Sequence, residues 1–226
     1  MIQVRYSDDV RINGIKMMVY GASGVGKTPL LATGPVPIIL SGERGLLSIS
    51  RTRTAYIEIR NYADLTEAYS WCARSQEAQQ YWTIGLDSLT ELAEVILVEE
   101  KRKTKDPRKA YGELQDQVIS MVKGFRDLPG KNVVLIAKET YDKDESTGTM
   151  LYSPMFPGQK LSPKLPYYFD EVFRMLVGKD PTTGKIWRAL HTQASYQHTA
   201  RDRSGNLAEY EPPDLMQVFK KILNIT

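Results

Sequence analysis

The sequence predicts an α/β fold, a mostly parallel central sheet flanked by helices, with an antiparallel hairpin extension at its C-terminal end. Two observations carry this prediction. Short apolar runs suited to strands buried on both faces alternate with stretches whose apolar residues recur at helical spacing. The last third then changes to two strand-like runs joined by a Pro-Gly turn. A chain of 226 residues with 42% hydrophobic and 25% charged residues is within reach of one such domain, spanning residues 1–226.

In chain order, Lys16-Met17-Met18-Val19-Tyr20 reads as a buried strand that runs into a glycine-rich segment. A helix is expected from Thr28, with Pro29 in the first turn, where no free N–H is needed. Residues 36–40 and 56–59 form the next strands, a helix covers roughly 63–79, and the run 81–86 is a strand that delivers Asp87 at its end. Leu89, Leu92, Ala93, Ile96 and Leu97 define one helix, and Leu114, Val118, Val122 and Phe125 another. Residues 132–137 form an apolar strand, whereas 138–166 shows no sustained period and carries Gly148, Pro154, Pro157, Gly158, Pro163 and Pro166, which predicts a long irregular loop. Runs 171–177 and 186–191 pair as a hairpin through Asp180-Pro181-Thr182-Thr183-Gly184, and a final helix starts near Asp214, a suitable N-cap.

Composition excludes several chemistries. Cys72 is the one cysteine and His191 and His198 are the two histidines, so a disulfide or a cysteine- or histidine-rich metal site is not expected. No stretch approaches the roughly 20 apolar residues of a membrane span, and Met1-Ile2-Gln3-Val4-Arg5 does not open a signal peptide; the reading is therefore intracellular, without a membrane partner. The net charge of +3 names no partner, but Lys101-Arg102-Lys103-Thr104-Lys105-Asp106-Pro107-Arg108-Lys109 concentrates cations in one run.

The segment Gly21-Ala22-Ser23-Gly24-Val25-Gly26-Lys27-Thr28 has the complete spacing of a Walker A motif between a strand and a helix. Its glycines let main-chain N–H groups turn inward on phosphate, and the helix N-terminus adds partial positive charge. Gly21, Ser23, Gly24, Val25, Gly26, Lys27, Thr28 and Pro29 are thus the expected ATP-binding residues, with Lys27 on the β/γ-phosphates and Thr28 on Mg²⁺. Asp87, at the end of a buried strand, fits the second metal-binding position, although helix capping is its ordinary alternative. Glu43, between Gly42 and Gly45 past another strand, is the expected base for water, with Glu91 as the rival.

The order of Walker A, Leu40-Ser41-Gly42-Glu43-Arg44-Gly45-Leu46 and Ile84-Gly85-Leu86-Asp87-Ser88-Leu89 resembles the RecA-like recombinase ATPases, which implies a RecA-like P-loop NTPase fold and the base role for Glu43. The same resemblance implies two DNA loops, at about 101–111 (Lys101, Arg102, Lys103, Lys105, Arg108 and Lys109) and 139–166, with Lys138 at the sensor position. Glutamine is more usual there. Ala200-Arg201-Asp202-Arg203-Ser204-Gly205 looks like an element whose basic residues reach a neighbouring subunit's ATP, which implies a homo-oligomeric ring or filament with Arg201 and Arg203 acting in trans.

Together with Phe156-Pro157-Gly158-Gln159-Lys160 and Glu211-Pro212-Pro213-Asp214-Leu215, the chain is most similar to the phage nucleotide-binding AAA family, which includes small single-strand annealing recombinases of the Sak type. That resemblance implies single-stranded DNA and a phage or host single-strand-binding protein as partners, recombination by annealing, and the cytoplasm of a bacterial host. Tyr111, Tyr141, Tyr152 and Phe156 are candidate platforms for stacked bases. Two other readings stay open: a nucleotide switch or assembly ATPase without DNA activity, and a small-molecule kinase.

Overall fold

The computed structural model describes residues 14–225 other than 44 and 144, so the N-terminal stretch and Arg44 lie outside the described residues. Six strands run parallel: β1 (Lys16–Gly21), β2 (Pro37–Ser41), β3 (Ala55–Glu58), β4 (Thr83–Asp87), β5 (Asn132–Lys143) and β7 (Glu171–Lys179). The antiparallel members are β6 (Met150–Met155) on β5, β8 (Ile186–His191) and β9 (Arg201–Asp202) on β7, and β10 (Tyr210–Glu211) on β8. Across the sheet the order is β10-β8-β7-β1-β5-β4-β2-β3.

Period-two alternation along β1 divides the core between the two faces. Met18 and Tyr20 join Leu40, Leu86 and Leu135 beneath α2 (Tyr62–Arg74), α3 (Leu89–Lys103) and α4 (Pro107–Arg126). Met17 and Val19 join Ile39, Val134 and Phe173 beneath α1 (Lys27–Leu31) and α6 (Leu215–Ile222). The caps match the sequence chemistry: Asn61, Ser88, Asp106 and Asp214 each accept a main-chain N–H from the first turn of their helix. Gly85 of β4 has no room for a side chain, because a Cβ would lie 2.8 Å from Leu31 Cδ1; this brings α1 down onto the sheet.

Two sequence expectations are corrected here. Residues 139–166 are not an irregular loop: β5 continues to Lys143 and turns back as β6, pairing Lys138 with Met155 and Lys143 with Met150, before the short helix α5 (Leu161–Lys164). The exposed half of this hairpin lacks the apolar run by which the inner half of β5 is recognised; Gly148 falls at the turn, Pro154 sits within β6 opposite Glu139, and the other glycine and prolines follow β6. The basic run 101–109 is likewise no loop of that length. It is the last turn of α3, the link 104–106 and the first turn of α4.

At the amino end of β7, Glu171 is 2% exposed, and among the described residues its Oε2 has no hydrogen-bond partner. Burial, reinforced by the neighbouring Asp202 carboxylate, pushes its pKa up to about 8. Because the folded value lies above the unfolded one, near 4.5, the stability that the protonated group supplies is complete below pH 4.5 and is lost as pH rises through 8. Urea unfolding midpoints of the wild type are expected to fall between pH 5 and pH 8, and Glu171→Gln is expected to flatten that decline. A parallel decline in the variant would contradict the assignment.

Candidate functional site

The parallel strands end along one crest, where an open α/β sheet places ligands. Gly21 is in register with Lys138 and Ser41 with Asp87, so the segments leaving β1, β2, β4 and β5 meet there. They enclose a cavity of about 530 Å³ lined by Ser23, Gly24, Gly26, Lys27, Thr28, Pro29, Glu43 and Asp87 among others.

Gly26 caps α1 at φ 108°, a left-handed conformation that glycine adopts without strain. The turn folds the Lys27 side chain back, and its Nζ donates to the main-chain oxygens of Gly21 and Ala22, both at 2.8 Å. Burial lowers the Lys27 pKa, while the carboxylates of Glu43 and Asp87 oppose that shift. A desolvated ammonium held only by carbonyls gains from an anion brought beside it.

Thr28 Oγ1 donates to Asp87 Oδ2 at 2.5 Å. Asp87 is 3% exposed, and burial raises its pKa against the opposing Thr28 hydrogen bond. The pair supplies adjacent oxygen ligands, the donor chemistry that a hard divalent cation such as Mg²⁺ takes. Helix capping does not explain Asp87, because the N-cap of α3 is Ser88, whose hydroxyl accepts from Glu91 N. The Asp87–Ser88 peptide is cis.

Glu43 is placed by backbone and side chain together. The N–H groups of Gly42 and Glu43 both donate to the Asp87 carbonyl, at 2.7 and 3.3 Å, folding the turn after β2 over the end of β4. Ser88 Oγ then donates to Glu43 Oε1 at 2.5 Å. Glu91, the rival base, is held elsewhere by Lys138, 2.6 Å from its carboxylate, with Glu94 at 3.8 Å. Lys138, expected as a sensor, is thus engaged with α3. Its neighbour Glu139 meets Arg174 at 2.6 Å, and that guanidinium lies 3.6 Å from the centre of the Tyr152 ring.

The other expected residues do not converge on the cavity within this chain. Arg203 pairs with Asp170 at 2.8 Å, and Asp170 N donates to Lys16 O at the amino end of β1. Six strand residues, about 20 Å, separate that end from the P-loop. Arg201 Nη1 donates to Phe169 O, and its guanidinium lies over the Tyr167 ring. Lys101, Arg102, Lys103, Lys105, Arg108 and Lys109 are all exposed at the α3–α4 corner, with Lys103 paired to Glu100 and Lys101 over Tyr111. Of the four candidate stacking rings, Tyr141 is 61% exposed, whereas Phe156 is core and offers no face for a base, which corrects the expectation for it.

Sequence reasoning passed over Ser88 and Arg188. Ser88 had a local signal, a hydroxyl directly after the strand-end aspartate. Arg188, whose Nε donates to Val25 O at 3.0 Å, had none: only the folding of β8 back along β7 brings it to the P-loop.

A model of the AAA domain family matches residues 13–204. No curated protein matches the chain. Among solved structures, 291 chains match. One is described as a prototypical ATPase from the type III secretion system of pathogenic bacteria; it shares 15% sequence identity at a TM-score of 0.48, over 72% of this chain and 52% of that one, so this chain spans about half its length. The mostly parallel sheet with flanking helices and an antiparallel hairpin is consistent with the RecA-like P-loop NTPase fold. Among the described residues no helix is long and apolar enough to cross a membrane.

Proposed function

Because this chain belongs to the AAA domain family, an ATPase family, we propose that its own crest site hydrolyses Mg²⁺-ATP to ADP and phosphate, and that this turnover responds to single-stranded DNA. The observation that carries the first half is that Thr28, Asp87 and Glu43 line the cavity that also holds Lys27, with Thr28 hydrogen-bonded to Asp87 and Glu43 to the buried Ser88 that follows Asp87.

In this reading the inward N–H groups of the segment 21–28 and Lys27 hold the phosphate chain, and Thr28 and Asp87 would hold Mg²⁺. When bound, the ion neutralises charge that builds on the phosphoryl oxygens. Glu43, kept in place by Ser88, orients a water and takes its proton as the water oxygen bonds to the γ-phosphorus and the bond to the β-phosphate oxygen breaks. ADP leaves with that electron pair. Lys27 balances negative charge through the step.

The DNA half rests on two features found together: exposed cations at the α3–α4 corner and an exposed aromatic, Tyr141, on the β5–β6 hairpin. Glu139, beside Lys138, ties that hairpin through Arg174 to β7, giving DNA on the hairpin a mechanical route to the strands around the P-loop. An annealing recombinase that assembles into a ring or filament, with Arg203 and Arg201 meeting a neighbour's nucleotide, is the specific form of this proposal. Phosphate release with and without single-stranded DNA tests it. DNA is expected to raise the rate, and Lys101→Glu combined with Arg102→Glu to remove the increase while leaving the basal rate. Measurable turnover that ignores DNA would discard the DNA half and leave a nucleotide switch or assembly ATPase.

A further inference from the structure

Arg188 is a cation of the cavity to which the mechanism above gives no task. It stands on β8 opposite Val177 of β7, and β7 lies beside β1, so the hairpin carries the side chain to the outer wall of the P-loop. Its Nε donates to Val25 O at 3.0 Å, and the side chain lines the same cavity as Lys27, Thr28, Glu43 and Asp87. The side chain packs directly against the P-loop: a Cβ built on Gly26 would sit in van der Waals contact with it, 3.7 Å from both Cδ and Nε of Arg188. Among the described residues no carboxylate pairs with Arg188, and neither Nη group has a hydrogen-bond partner.

Fixing a long exposed side chain on one carbonyl costs rotamer entropy and uses one of its five N–H donors. The remaining four form the planar fork that matches phosphate oxygens. Local charge favours the same ligand. Without Arg188, Lys27 alone faces the Glu43 and Asp87 carboxylates, and a polyphosphate entering the cavity meets more negative than positive side-chain charge.

We propose that Arg188 is a phosphate-contacting residue supplied by the chain itself: Nε holds the P-loop at Val25 while the Nη donors bind oxygens of the nucleotide's phosphate chain. This rests on reading the crest cavity as the nucleotide site. It differs from the role expected for Arg201 and Arg203, because a cation provided in cis acts without assembly.

Calorimetric titration of the wild type, Arg188→Ala and Arg188→Lys with Mg²⁺-ATP and with inorganic tripolyphosphate tests the proposal, alongside the unfolding temperature of each nucleotide-free protein. Arg188→Ala is expected to weaken both ligands by about 10- to 100-fold, as loss of charged hydrogen bonds does. Arg188→Lys is expected to recover part of that loss, and both nucleotide-free variants to unfold within about 4 °C of the wild type, the cost of one hydrogen bond to Val25 O. Unchanged ATP affinity in Arg188→Ala would overturn the assignment. So would weaker ATP binding with intact tripolyphosphate binding, which would place Arg188 on the base, or a lowered unfolding temperature that accounts for the loss, which would leave it only a prop for the P-loop. A wild type that binds neither ligand would overturn the nucleotide reading itself, and Arg188's role with it.

Discussion

Lys27→Ala is expected to abolish ATP turnover and to weaken ATP binding by about 100-fold or more, a loss on the scale of several charged hydrogen bonds. The side chain already lies in the cavity, its Nζ 2.8 Å from both Gly21 O and Ala22 O, and burial depresses its pKa. Those carbonyls hold the ammonium but do not neutralise it. A triphosphate does, and alanine leaves the triphosphate facing Glu43 and Asp87 instead. The cost to the nucleotide-free protein is small, since neutral acceptors contribute about 1 kcal/mol each. Phosphate release, calorimetry and an unfolding curve together separate the two effects. Turnover within tenfold of the wild type would remove Lys27 from the mechanism.

Glu43→Gln is expected to lower kcat by about 10²- to 10⁴-fold with ATP affinity nearly unchanged, the signature of losing a proton acceptor that acts only in the transition state. Glutamine keeps a carbonyl oxygen to accept from Ser88 Oγ, and the turn itself is pinned by main-chain bonds from Gly42 and Glu43 to Asp87 O. Geometry survives the substitution; basicity does not. Ser88→Ala removes the restraint on Glu43 and leaves its carboxylate, so its kcat should fall less than that of Glu43→Gln. Equal kcat in Glu43→Gln and wild type would return the base role to open competition, with Glu91 still engaged by Lys138.

Much of the sheet was legible because buried parallel strands write their burial into consecutive apolar residues, as in Val133-Val134-Leu135-Ile136-Ala137. The P-loop was legible because its chemistry is local: glycines, Lys27 and Thr28 are adjacent in sequence and remain so in space. The position of Asp87 beside Thr28 was legible from its place at the end of an apolar strand. The half-exposed hairpin 138–155 was not legible, since Glu139, Tyr141 and Lys143 carry no core-facing pattern and its pairing comes from β5 simply continuing past the crest. Arg188 was hidden for a different reason. It lies 163 residues from Val25 in sequence, and only the β1–β7–β8 order makes them neighbours. The sequence motif around Arg201 and Arg203 suggested proximity to nucleotide, yet within one chain it sits at the opposite end of β1.

In the proposed reaction Thr28 and Asp87 share one divalent cation with a bound triphosphate. Calorimetric titration of the wild type and Asp87→Asn with ATP, each with Mg²⁺ and with the metal chelated, tests it most directly. Mg²⁺ is expected to tighten ATP binding to the wild type, and Asp87→Asn to lose most of that gain while still binding metal-free ATP. Wild-type affinity that is the same with and without Mg²⁺, or a full Mg²⁺ gain retained in Asp87→Asn, would contradict it.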